Sequence, residues 1–143
     1  MTKDVLLTIS GIQYDPGKKT NQNVEPVEVI TPAKYYFKNN RHYVLYDEFQ
    51  EDESMSKNTL IFKDDYMSVM KRGDINTHII VESGKSNVTY YSTVAGMLHI
   101  TMNGESVQIS ETEEEIFANA FYGLEVNYEH IADCEIRINV KPR

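Results

Sequence analysis

Cysteine occurs once in the 143 residues and tryptophan not at all. With Cys134 alone, an intramolecular disulfide is excluded, and so is a thiolate zinc cluster within one chain. A disulfide-free domain of this size fits a reducing cytosol. No stretch approaches the roughly 20 apolar residues that span a bilayer. Met1-Thr2-Lys3-Asp4-Val5 lacks the basic segment and following apolar run of a signal peptide, so a cytoplasmic location is expected. Basic residues are also few: 14 Lys and Arg face 22 Asp and Glu, for a net charge of −8. The densest basic groups are only Lys18-Lys19 and Lys71-Arg72. Nucleic acid demands clustered cations to neutralise phosphates, and an anionic membrane surface attracts the same sign, so neither partner is expected. The acidity reads as a solubility feature. Leu and Ala, the mainstays of helix bundles, are sparse, which argues against an all-helical fold.

Val, Ile, Thr, Tyr and Phe make up about a third of the chain, the composition of a pleated, half-buried surface. The length suits a single domain spanning 1–143. Along the chain, short apolar segments alternate with turn signals. Lys3 to Tyr14 forms a first strand pattern, closed by Asp15-Pro16-Gly17 and a polar loop from Lys18 to Asn23. Val24 to Val29 resumes, with Pro26 and Pro32 marking an edge or bend. Asn39-Asn40 and Asp64-Asp65 each sit between strand patterns as hairpin turns, and Gly73-Asp74 and Gly84 to Asn87 lead into two more strands. Asn103-Gly104 is the strongest hairpin signal in the chain. The acidic run Glu111 to Glu115 reads as a solvated loop or one helical turn. Tyr122, Leu124, Val126 and Tyr128 share one strand face. The last strand places Cys134, Ile136, Ile138 and Val140 in a core and Asp133, Glu135, Arg137, Asn139 and Lys141 in water. Roughly nine or ten strands at spacings of about 8–12 residues indicate an all-β sandwich or barrel. Successive hairpins favour an antiparallel up-and-down meander, which closes most simply as a barrel.

Sites of chemistry are few. His42, His78, His99 and His130 show no ligand spacing, and no metal or other cofactor is expected. Nucleophile elbow, P-loop and dinucleotide-binding motifs are absent, and Cys134 lies on an apolar strand face, where it packs as a small core residue. The ten tyrosines are more suggestive. Each carries a large apolar body and one polar handle, so several around a barrel lumen could line a pocket for a partly polar small molecule; otherwise they fill the barrel or cover it. Tyr46-Asp47-Glu48 and Lys71-Arg72 are the best polar candidates, because a carboxylate and a cation meeting inside a barrel would form a hydrogen-bonded pair. Alternation puts Tyr46 and Glu48 on one face with Val44, and Asp47 on the other with Tyr43, Leu45 and Phe49, without saying which face is inside.

Four segments together resemble a known family. They are Tyr43 to Glu48 (YVLYDE), Lys71-Arg72-Gly73, Tyr91-Ser92-Thr93-Val94-Ala95-Gly96, and Tyr122 to Asn127 followed by Ile136-Arg137-Ile138. In order and spacing they resemble the YwiB-like family, an uncharacterised bacterial domain of unknown function with a calycin-like (lipocalin-like) barrel. Val94 stands where that family tends to have proline, and the basic residue before its glycine is here Lys71 or Arg72. The resemblance implies an antiparallel calycin-like barrel of about eight to ten strands and no particular activity. Three functional readings follow. The first is a small-molecule-binding lumen contacted by Tyr46, Glu48, Lys71, Arg72, Tyr91 and Thr93. The second is a non-catalytic interaction or structural protein, monomeric or a homodimer. The third, supported by no motif, is an enzyme using Glu48 with Lys71 or Arg72.

Overall fold

The computed structural model describes residues 3–14, 27–49, 53–74 and 76–143. These form ten strands: β1 (Asp4–Tyr14), β2 (Val27–Lys38), β3 (Arg41–Phe49), β4 (Met55–Lys63), β5 (Tyr66–Arg72), β6 (Thr77–Glu82), β7 (Ser86–Thr93), β8 (Gly96–Glu111), β9 (Ile116–Val126) and β10 (Glu129–Pro142). All pairings are antiparallel, and the sheet runs β6-β5-β4-β3-β2-β1-β10-β9-β8-β7. The expected meander is present, but its seam is displaced. The first and last strands pair along their length, Val5 with Pro142 through Tyr14 with Asp133, so the sheet's two free edges are β6 and β7.

Those edges are brought together by the length of β8. Its first half pairs with β7, and its second half runs on past β6. Gly104 is the point of crossing. Its N–H donates to the Lys85 carbonyl at 2.8 Å, and its own carbonyl accepts from the Gly84 N–H at 3.0 Å. Further along, the Val107 carbonyl accepts from the Asp65 N–H at 3.3 Å. A Cβ built on Gly104 would lie 1.9 Å from the Glu82 carbonyl oxygen, so only glycine allows this approach. The barrel is thereby nearly closed. Asn103-Gly104 is therefore no hairpin turn: it lies inside β8, beside a bulge between Gly104 and Ser106. The glycine that resembled a turn residue serves a close contact between strands instead.

The other hairpin signals behave as local chemistry dictates. Asn39 and Asn40 both adopt positive φ, 54° and 59°, as a two-residue primed turn requires. Asp65 does likewise between β4 and β5. In the acidic run, the Thr112 hydroxyl accepts the N–H groups of Glu114 and Glu115 in a turn after β8. Asp15 to Pro26 lies outside the described residues. Pro32 is not on an edge strand, because β2 pairs on both sides. However, its pairing with β3 covers only Lys34 to Lys38, so Pro32 sits where β2 has diverged from β3 and no donor is needed on that side.

Inward-facing side chains alternate as the strand period demands. Leu7, Val44, Leu60, Phe62, Met67, Val81, Met102 and Val140 fill one half of the lumen and are fully buried. Cys134, Ile136, Ile138 and Val140 face this core as expected. Three expectations on β9 and β10 fail, one of them for Asp133, expected in water but only 8% exposed and 3.2 Å from the His130 ring. Tyr128 leaves the β9 face because it occupies the turn after β9 with φ 70°. Glu135, expected in water, is only 3% exposed. The Asn119 amide donates to it at 2.9 Å and the Tyr14 hydroxyl at 3.2 Å, and the Arg137 guanidinium clamps both its oxygens. A carboxylate with this many donors tolerates burial.

Candidate functional site

The opposite half of the lumen is not filled. A cavity of about 470 Å³ opens there, walled by Ile9, Val29, Val69, Ile79, Cys134 and Ile136. It lies toward the end at which β2 and β3 part company. Val27 on β2 and Glu48 on β3 both reach it, although these stretches of the two strands do not pair. Divergence of neighbouring strands is a direct way to hold space open in a small barrel.

Tyr46, Glu48 and Lys71 line one side of this cavity, with Ser10, Gln13 and Glu135 also reaching it, and the first three belong to a cross-strand row. Tyr46 on β3 pairs with Asn58 on β4, and Asn58 with Lys71 on β5; one pair further along, Glu48 faces Ser56. Because side chains alternate, all five point inward. The Lys71 ammonium donates to Glu48 Oε2 at 3.0 Å. The Asn58 amide donates to the same oxygen at 3.0 Å. The ion pair is partly desolvated, with the Glu48 side chain 18% and the Lys71 side chain 39% exposed. Asn58 is 1% exposed, and its Oδ1 has no partner among the described residues; nor has the buried Ser56 hydroxyl. Burial pushes the Tyr46 phenol up to about 12, so it stays a hydroxyl and a donor at neutral pH. Across the lumen, burial also raises Tyr122, with the neighbouring Cys134 thiol adding to the effect, and burial raises Cys134 in turn. Neither group is a thiolate or phenolate near neutrality.

Of the six residues singled out in the sequence, Tyr46, Glu48 and Lys71 meet in this cavity. The face shared by Val44, Tyr46 and Glu48 is the inner one. The choice between the two basic residues is resolved by strand parity. Lys71 points in, while Arg72 is exposed on the outside, where its charge depresses His78 beyond the effect of burial. Tyr91 faces inward at the seam. Its hydroxyl lies near enough to the His78 backbone on the opposite edge, and to Tyr122, to interact with both. Thr93 is exposed and ends β7, where its hydroxyl donates to the Gly96 carbonyl at 2.6 Å and accepts the Ala95 N–H of the following turn. Tyr122 and Glu135 also line the cavity, while the buried Asn58 and Ser56 stand beside Glu48 in the cross-strand row without lining it. The polar residues at 56 and 58 look like ordinary strand polarity in the sequence, since nothing local marks them as inward-facing.

At the filled end, His42 forms the stopper. It stacks on Phe62 with ring centroids 4.9 Å apart. Its Nδ1 lies 2.8 Å from the Tyr35 hydroxyl and its Nε2 2.8 Å from Glu111. Burial lowers its pKa, partly opposed by the Glu111 charge. Among the described residues, no group of three His, Cys, Asp or Glu side chains converges to hold a metal. Nor, among the described residues, is any helix long and apolar enough to cross a membrane.

Comparison with known proteins agrees with this architecture. The family model described as Domain of unknown function (DUF1934) matches residues 9–138. Among solved structures, the crystal structure of ywiB protein from Bacillus subtilis superposes with a TM-score of 0.71 at 21% identity, over 95% of this chain and 90% of that one. At this identity the likeness speaks to the fold. No curated protein matches the chain.

Proposed function

The chain belongs to the DUF1934 family of domains of unknown function, with a YwiB-like barrel, and on that premise we propose that its lumen binds a small, partly apolar molecule. The observation that carries this reading is the 470 Å³ cavity itself, within the usual size range of ligand pockets. Its composition supports the same reading. Aliphatic walls would take an apolar body, and a few convergent polar groups on one side would orient it. A barrel designed only for stability gains by filling its lumen, as the His42 end does. Here the Tyr46, Glu48 and Lys71 side chains instead border open space.

Native mass spectrometry of the protein purified from its own host tests this reading. The expected result is a small-molecule adduct that survives gentle ionisation and disappears in Ile79→Trp, whose larger ring projects into the cavity. An adduct-free spectrum, with no thermal shift from any member of an amphiphile panel, would count decisively against a lumen site.

A further inference from the structure

We propose that the head group taken by this lumen is uncharged and carries a hydrogen-bond donor beside an acceptor, as a carboxamide does, and that carboxylates and amines are discriminated against. The proposal rests on the lumen being a ligand site, and it adds the chemical class of the ligand.

The argument starts from charge balance. The cavity's cation, Lys71, is already bonded to Glu48 at 3.0 Å, and the other carboxylate lining the cavity, Glu135, is held by the Arg137 guanidinium at 2.8 Å. An incoming carboxylate could reach the ammonium only by standing beside the Glu48 carboxylate. An incoming ammonium could reach Glu48 only by standing beside Lys71. Both arrangements put like charges together in a partly desolvated site, where repulsion is poorly screened. The chain's net charge of −8 adds a long-range penalty for anions.

Hydrogen-bond capacity points the same way. The Asn58 amide must direct its Nδ2 at Glu48, because a carboxylate only accepts. That amide is buried beside Glu48 and does not line the cavity; Glu48 does, and as an acceptor it calls for a donor. The neighbouring Tyr46 hydroxyl and the Lys71 ammonium are donors and call for an acceptor. One amide group offers both at adjacent atoms: its N–H suits Glu48, and its carbonyl suits Tyr46 or Lys71. Its alkyl remainder would lie against Ile79 and Ile136.

The test uses three straight-chain probes of equal chain length below their micelle concentrations: decanamide, decanoate and decylamine. Titration calorimetry at pH 7.5 is expected to give decanamide an affinity at least about tenfold above either charged probe. Glu48→Gln leaves Lys71 without its carboxylate, so preference should swing to decanoate. Lys71→Gln should swing it to decylamine. A role for the pair in folding alone would produce neither inversion. Wild type binding decanoate or decylamine as tightly as decanamide would overturn the head-group assignment while leaving the lumen site standing. Binding of no probe at all would remove the lumen site and the assignment with it. The wild-type comparison needs no variant, so misfolding of a substituted chain cannot protect the proposal.

Discussion

Asn58 shows how much can depend on a residue that the sequence does not mark. It stands between Tyr46 and Lys71 and donates to a charged acceptor from a fully buried position. A buried hydrogen bond to a charged group contributes about 1.5–3 kcal/mol. Asn58→Ala should therefore lower the urea unfolding free energy by about 2 kcal/mol at pH 7, whereas exposed Thr93→Ala should change it far less. Tyr46 makes a second residue-scale case. Its phenol is raised by burial to about 12, against the ordinary value of 10.0. The folded state holds the proton more tightly than the unfolded chain, so the associated stability is complete below pH 10 and is lost as pH climbs toward 12. The difference amounts to about 2–3 kcal/mol. Urea midpoints at pH 9 and pH 11.5 should fall further in wild type than in Tyr46→Phe. An equal fall in both would show that this phenol is not the group responsible.

Between elements, the decisive contact is the passage of β8 across the β6 edge. Two glycines separate backbone freedom from close packing. Gly11, on β1 beside the cavity, has no atom within 4 Å of a Cβ position, and its φ is not in the left-handed region. Gly104 has the Glu82 backbone in that place. Gly11→Ala is expected to be neutral or to stabilise by up to about 1 kcal/mol. Gly104→Ala should cost at least about 2 kcal/mol, because two backbones must separate and the bonds to Gly84 and Lys85 break. Hydrogen exchange supplies the finer check. The amides of Gly84, Asp65 and Gly104 should lose protection in Gly104→Ala while those between β1 and β10 keep theirs. Uniform loss across the sheet would contradict a local seam.

Over the whole molecule the barrel has one sealed end and one open half, and the two should respond differently to solution conditions. His42 at the sealed end joins β2, β3, β4 and β8. Its folded pKa is held below the ordinary 6.5, mainly by burial. Its contribution is therefore fully present above pH 6.5 and declines as pH falls through the lowered folded value. His42→Gln, which can still accept from Tyr35 and donate to Glu111, should lose less stability between pH 7.5 and pH 5 than wild type does. A larger loss would reverse the assigned sign.

The sequence by itself determined the class of fold. Side chains branched at Cβ, strict alternation in Cys134 to Val140 and the paired asparagines at 39 and 40 act through neighbours a few residues away, so strands and most hairpins were legible in it. So were three residues of the candidate site, Tyr46, Glu48 and Lys71. What the sequence could not contain is which face of a strand looks inward and which distant backbone lies against a glycine. Asn103-Gly104 carries the same local signal in a turn as in a close crossing, and Asn58 and Glu135 carry the same polarity whether wet or buried. Only the closing of the sheet, with β1 on β10 and β8 across β6, distinguishes these cases. Burial and the neutralisation of Glu48 by Lys71 are properties of the distance between strands.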